Sequence, residues 1–218
     1  MLSYILTGDP KKPAIITKSE HSTPVWIQQR WEGGEYEKYI IHNGCGHCCT
    51  AMALNLNGVE IDLYEEFSLC RKMWGEPRRE EPICEDNFAS AAGICKVLHS
   101  FGIKAEAFGV KENETELARK RIDEALRSGK TIIFWSHPSE KLPNNPFSSG
   151  EHYILLVGYD EGGKILVANS SEKAATDKGV QLVDLDTVVL SLYEGSEPLD
   201  FTWGRYDLPH SGGYVIVG

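Results

Sequence analysis

The chain has 218 residues, and its 22 Lys and Arg against 32 Asp and Glu leave a formal net charge of −10. That length fits one domain able to bury a full core. The acidic balance argues against a nucleic-acid partner, which needs a basic patch, and no apolar run reaches the length of a membrane span.

Residues 1–42 carry short β-like pieces at Ser3–Leu6, Ala14–Thr17 and Val25–Ile27, punctuated by Pro10, Pro13 and Pro24. A polar loop through Gly33 and Gly34 to Tyr39 follows Gln28-Gln29-Arg30-Trp31. The first strong helix is expected at Cys45 or just after it, where Gly44-Cys45-Gly46 leads into Ala51-Met52-Ala53-Leu54. A second helix is expected over Ile61–Trp74, with Leu63, Phe67, Cys70 and Trp74 on one apolar face. A third, over about Asp86–Phe101, carries an Ala91, Ile94, Val97, Leu98, Phe101 stripe and closes at Gly102. Asn113 to Glu116 reads as a helix start close to a capping box, with the helix running to about Arg127.

From there the pattern becomes β. Thr131–Trp135 is a buried strand by composition. Residues 137–150, rich in Pro and Asn, form a long loop beside the next strand, and such loops are often functional. His152–Asp160 and Lys164–Asn169 make a hairpin, the first strand apolar on both faces and so central in its sheet. Val180–Val183 is a short strand, Asp184–Tyr193 a helix and Tyr214–Val217 a terminal strand. Helices first and strands later make an α+β pattern. It divides into an N-terminal extension (1–42), a helical subdomain (about 43–128) and a β subdomain (about 131–218).

The chemistry-bearing candidate is Cys45. A thiol at a helix start faces unpaired N–H groups and the positive end of the macrodipole, which favours thiolate. A nucleophile needs a base, and the base an orienting group. His152 opens a central strand after a long loop, which suits the first role. If Asp160 faces Gly163 across a two-residue turn, Asn169 faces Ile154 and lies diagonal to His152 on one side of the hairpin. A three-residue turn reverses that parity. His47 is expected on the exposed first turn of the Cys45 helix, and Cys48 and Cys49 as packing one turn in. The six cysteines, Cys45, Cys48, Cys49, Cys70, Cys84 and Cys95, lack the spacing of a disulfide framework. A reducing, cytoplasmic location is therefore favoured, the start at Met1–Thr7 lacking a signal peptide's basic region. A secreted location stays open if a leader has been removed.

Gly44-Cys45-Gly46 with Ala51–Asn55, Gly150–Ile154 with Val157–Asp160, and Gly163–Asn169 resemble the papain-like cysteine peptidases related to bacteriocin leader (double-glycine) peptidases. Phe101-Gly102-Ile103 and Ile122–Leu126 with Thr131–Ile133 match that family's middle region, and the likeness spans roughly residues 25–170. The resemblance implies a papain-like fold, the nucleophile helix packed on a C-terminal antiparallel sheet. It also implies a thiolate–imidazolium pair in which Cys45 attacks a carbonyl, His152 protonates the leaving group and Asn169 orients His152. A Gln side chain upstream of the Cys supplies an oxyanion donor in the family. Gln29 is the match here, with Gln28 or Asn43 as alternatives. The chain departs from the family at His47-Cys48, where Pro-Thr or similar is usual, and at Asn169-Ser170, where Asp-Pro is frequent.

The expected function is thiol-dependent cleavage of a peptide or small amide substrate, with no cofactor, no metal and no nucleic-acid partner. Acyl transfer uses the same machinery. A catalytically silent peptide-binding module, and a zinc or redox site within 42–49 (His42, Cys45, His47, Cys48, Cys49), are the alternatives. Loop 137–150 is a candidate substrate gate.

Overall fold

The computed structural model describes residues 2–9, 12–18, 27, 29, 36–74, 90–171, 179–194 and 213–218. Strands β1 (Leu2–Asp9) and β2 (Lys12–Lys18) pair as a separate antiparallel hairpin. Helices α1 (Glu37–Asn43), α2 (Cys45–Leu56), α3 (Leu63–Trp74) and α4 (Ala91–Ser100) follow. Then come β3 (Ala105–Phe108), α5 (Thr115–Arg127), β4 (Thr131–Ser136), β5 (His152–Tyr159), β6 (Ile165–Ala168), β7 (Val180–Val183), α6 (Leu185–Leu190) and β8 (Tyr214–Val217). The six later strands form one antiparallel sheet in the order β3-β8-β4-β5-β6-β7. The fold is α+β, and β5 sits inside the sheet.

Side-chain alternation sorts the sheet into two apolar faces. Ile133, Tyr153, Leu155, Val157, Leu166 and Ala168 pack with α1–α4. Ile132, Phe134, Ile154, Leu156, Ile165 and Val167 pack with α5 and α6. A sheet covered on both sides explains why β5 reads as an unbroken apolar run rather than an alternating one.

Two elements differ from their sequence expectation. Residues 37–43 form α1, not a loop: Tyr39 and Ile40 are buried against α2 and α3, and that packing stabilises a helix too short to stand alone. Asn113 does not cap α5; it takes the left-handed conformation at φ 65° that Asn tolerates, and Glu114 stands at the cap position. Residues 86–89 of the expected third helix, the piece at 25–26, Gln28, Trp31 and Cys84 lie outside the described residues.

The β5–β6 hairpin carries a compensation that positions the site. Asp160 N–H donates to Lys164 O at 2.8 Å, so the turn holds three residues, 161–163, with Gly163 at φ 76°. This is the three-residue hairpin whose last position calls for left-handed Gly. By parity alone it sends Asn169 to the wrong face. The register then slips between Leu156 and Gly158, leaving Val157 as an extra residue in β5. Beyond this bulge Leu156 pairs with Val167 and Leu155 with Ala168. The two odd steps cancel.

Candidate active site

Cys45 is the first residue of α2, and Gly44 is at once the C-cap of α1 and the N-cap of α2. Gly44 N–H donates to Ile40 O, and Gly44 O accepts from Cys48 N–H, each at 2.9 Å. A Cβ on Gly44 would stand 2.5 Å from Ile40 O, so the two helices meet at an angle that excludes any side chain. This corner aims the first turn of α2 at the start of β5.

The Cys45 thiol is buried and faces the backbone of Tyr153, the residue after His152. Burial raises its pKa; backbone hydrogen bonds from Tyr153, Gly46 and Cys45 itself pull the other way and lose. The helix N-terminus therefore moderates, but does not reverse, the cost of a buried thiolate. Burial thus works against the thiolate that position at the helix start favours.

His152 opens β5, and its Nε2 lies 2.9 Å from Asn169 Oδ1. The Asn169 amide has a determined orientation. Its Nδ2 donates to Phe147 O at 2.9 Å and to Gln181 Oε1 at 3.2 Å, while Oδ1 also accepts from Ser171 N–H at 3.0 Å. An Oδ1 can only accept, so His152 carries its proton on Nε2, and Nδ1 is the basic ring atom. Burial lowers the pKa of His152, and the Asn169 hydrogen bond partly offsets this. By strand alternation His152 and Asn169 lie on the α5–α6 side of β5, while α2 brings Cys45 to the same strand end from the Tyr153 side.

Gln29 is tied to this corner: its N–H donates to Ser170 O at 2.9 Å. Its Nε2 donates to Ile40 O and Ile41 O, both at 3.0 Å. Both amide hydrogens thus serve the last turn of α1, immediately before Gly44. Asn43 ends α1, half-buried. Loop 137–150 is anchored rather than loose along its C-terminal half. Asn145 bonds Ser136 Oγ and Phe147 N–H, Phe147 is fully buried, and Gln181 Nε2 donates to Pro146 O at 2.7 Å. Loop residues between Pro138 and Ser149, with Ser171, line an open cleft of about 630 Å³.

Three features escaped sequence reasoning. Gln181 orients Asn169, and its signal was a lone amide among Val180, Leu182 and Val183. His47 is buried, not exposed, because α3 covers the first turn of α2 and supplies Glu66 to its ring at 2.7 Å. Cys70, read as plain core, donates to the same carboxylate at 3.2 Å. Cys48 and Cys49 are fully buried in the core, while His42 is exposed on α1, so the 42–49 stretch does not converge as one ligand set.

A thiol at a helix head and an oriented imidazole at the same strand end are the kinds of group that nucleophilic acyl chemistry uses. Among the described residues no helix is long and apolar enough to cross a membrane. No curated protein matches the chain. Residues 23–188 match the model of the Peptidase_C39 like family, a cysteine peptidase grouping; that match spans most of the sequence, and the chain belongs to this family.

Proposed function

We propose that the protein hydrolyses a peptide or amide bond through Cys45, His152 and Asn169. The observation that carries this reading is the His152–Asn169 hydrogen bond with its amide locked from behind, because it leaves Nδ1 as the one basic ring position at the strand end where Cys45 arrives.

The step balances without a further reactant. As Cys45 Sγ bonds to the substrate carbonyl carbon, the thiol proton passes to His152 Nδ1. Collapse breaks the C–N bond, His152 returns that proton to the departing amine, and a thioester is left on Cys45. Water, deprotonated by His152, attacks the thioester; the carboxylic acid leaves and the thiol is restored. The Cys45 N–H, unpaired within its helix, stands ready for the oxyanion. Gln29 is the side-chain donor proposed beside it, and it takes that role by releasing one of its α1 carbonyls. Asn43 is the nearer alternative. Each oxyanion donor is typically worth about 2.7–4 kcal/mol at the transition state.

The test is reaction with a peptidyl electrophile, followed by mass spectrometry and by hydrolysis of a peptide library. The expected result is a single adduct on Cys45, lost in Cys45→Ser. In His152→Ala, adduct formation and turnover should slow by about 10²–10⁴-fold, the usual worth of general acid–base catalysis. Equal labelling of Cys45 with and without His152 would overturn the dyad. Product analysis with an added amine separates hydrolysis from acyl transfer: an acid is expected, an amide is not.

A further inference from the structure

A second convergence of ionisable side chains lies beneath the first turn of α2. His47, Glu66 and Cys70 are 1%, 0% and 4% exposed. His47 Nδ1 is 2.7 Å from Glu66 Oε2, and Cys70 Sγ is 3.2 Å from Glu66 Oε1. One ligand atom from each of the three lies within 4.8 Å of the others. Glu66 and Cys70 stand one turn apart on α3 and so present oxygen and sulfur on one face, while α2 supplies the nitrogen. The walls are aromatic: Phe67 meets the His47 ring edge-on with centroids 5.1 Å apart, and Tyr39 OH is 3.3 Å from His47 Nε2.

A fully buried carboxylate needs a cation. Imidazole nitrogen, carboxylate oxygen and thiolate sulfur together form a borderline-soft set of the kind that holds zinc rather than magnesium or calcium. Zinc bonds of about 2.0–2.3 Å place neighbouring ligand atoms roughly 3.3–3.8 Å apart in a tetrahedron. Small side-chain rotations carry the present cluster to that spacing.

We propose that His47, Glu66 and Cys70 form a closed site for a zinc-class divalent cation that fastens the nucleophile helix to α3. Both oxygens of Glu66 face the cluster, so a bidentate carboxylate completes four bonds in a distorted sphere, its two oxygens closer together than tetrahedral neighbours. Binding balances in charge: a dication replaces the Cys70 thiol proton and the proton held between His47 and Glu66, and two protons leave. Cys45 takes no part and stays available as a thiol. Of the residues 42–49 considered for zinc from the sequence, only His47 belongs to this set. Its partners come from another helix.

The experiment uses the full chain, stripped with a chelator and titrated with Co²⁺ as the spectroscopic probe and with Zn²⁺. One equivalent of Co²⁺ is expected to bind with a thiolate-to-metal charge-transfer band in the near ultraviolet, and Zn²⁺ to displace it and raise Tm. The band should vanish in Cys70→Ser and persist in Cys45→Ser. X-ray absorption on the wild-type zinc form, which depends on no variant's folding, should give one sulfur with nitrogen and oxygen neighbours. Absence of stoichiometric Co²⁺ binding would overturn the proposal and leave a proton-bridged pair between helices. A band lost in Cys45→Ser, or two or more sulfur ligands, would also overturn it by moving the metal to the Cys45-Cys48-Cys49 cluster.

Discussion

Asn169 does two things with one amide: Oδ1 holds the His152 ring, and Nδ2 holds the backbone at Phe147 and the Gln181 side chain. Removing it should disturb both. In Asn169→Ala the imidazole loses one neutral hydrogen bond, worth about 0.5–1.5 kcal/mol, so kcat/KM should fall by up to roughly tenfold from that cause alone. Gln181→Leu tests the second half. It keeps the His152 contact and the bonds to Phe147 and Ser171 but removes one bond from behind the amide, so kcat should fall modestly while Cys45 still labels. The pH profile follows from two opposed shifts. Burial lowers His152 and raises Cys45, and both shifts favour the uncharged forms. Activity should therefore hold to below the ordinary imidazole value of about 6.5 before its acid limb begins. An acid limb above that value in kcat/KM would contradict the assignment of His152 as base.

At the scale of elements, Gly44 joins α1 to α2. Gly44→Ala places a Cβ 2.5 Å from Ile40 O and 2.9 Å from Ile40 Cγ2, both atoms of a fully buried residue. The backbone has to shift, at a cost of about 1–3 kcal/mol, to be read as a lower urea midpoint with an unchanged m-value. What was legible in the sequence divides along the same lines. The apolar periodicities of α3, α4 and α5 and the β-branched runs of β4 and β5 are local signals, and these elements stand near their expected bounds, except that α4 starts at Ala91, where Ser90 caps it, rather than at about Asp86. Helix α1 was not legible, because its stability comes from burying Tyr39 and Ile40 on helices later in the chain. The meeting of His152 and Asn169 was argued from a two-residue turn. The real turn has three residues and the bulge at Val157 makes up the difference, a correction no local pattern announces. The burial of His47 was equally hidden, since Glu66 reaches it from α3.

Over the whole molecule, two apolar layers flank one sheet, and His152 is buried at the end of its central strand. A histidine whose folded pKa is lowered links stability to pH with a definite sign. Above about 6.5 both folded and unfolded forms are neutral at this site and it contributes no slope. As pH falls below that value the unfolded chain takes up a proton that the native protein refuses, and stability drops until the lowered native value is passed. Urea unfolding should thus show a decline from pH 7.5 to 5.5 that is shallower in His152→Gln. An identical decline in that variant would assign the acid sensitivity to other groups.

The odd turn and the bulge in the β5–β6 hairpin have a consequence for changes of length. The bulge keeps Leu155 opposite Ala168 beneath a three-residue turn; were Val157 drawn into the ladder, Leu155 would face Asn169 and His152 would lie on the far side of the sheet. Loss of Val157 leaves every flanking pair in place, whereas a residue gained between His152 and Ile154 turns His152 over. Deleting Val157 should therefore leave turnover standing, and inserting one residue after Tyr153 should abolish it, so the strand tolerates a change of length at the bulge and not beyond it.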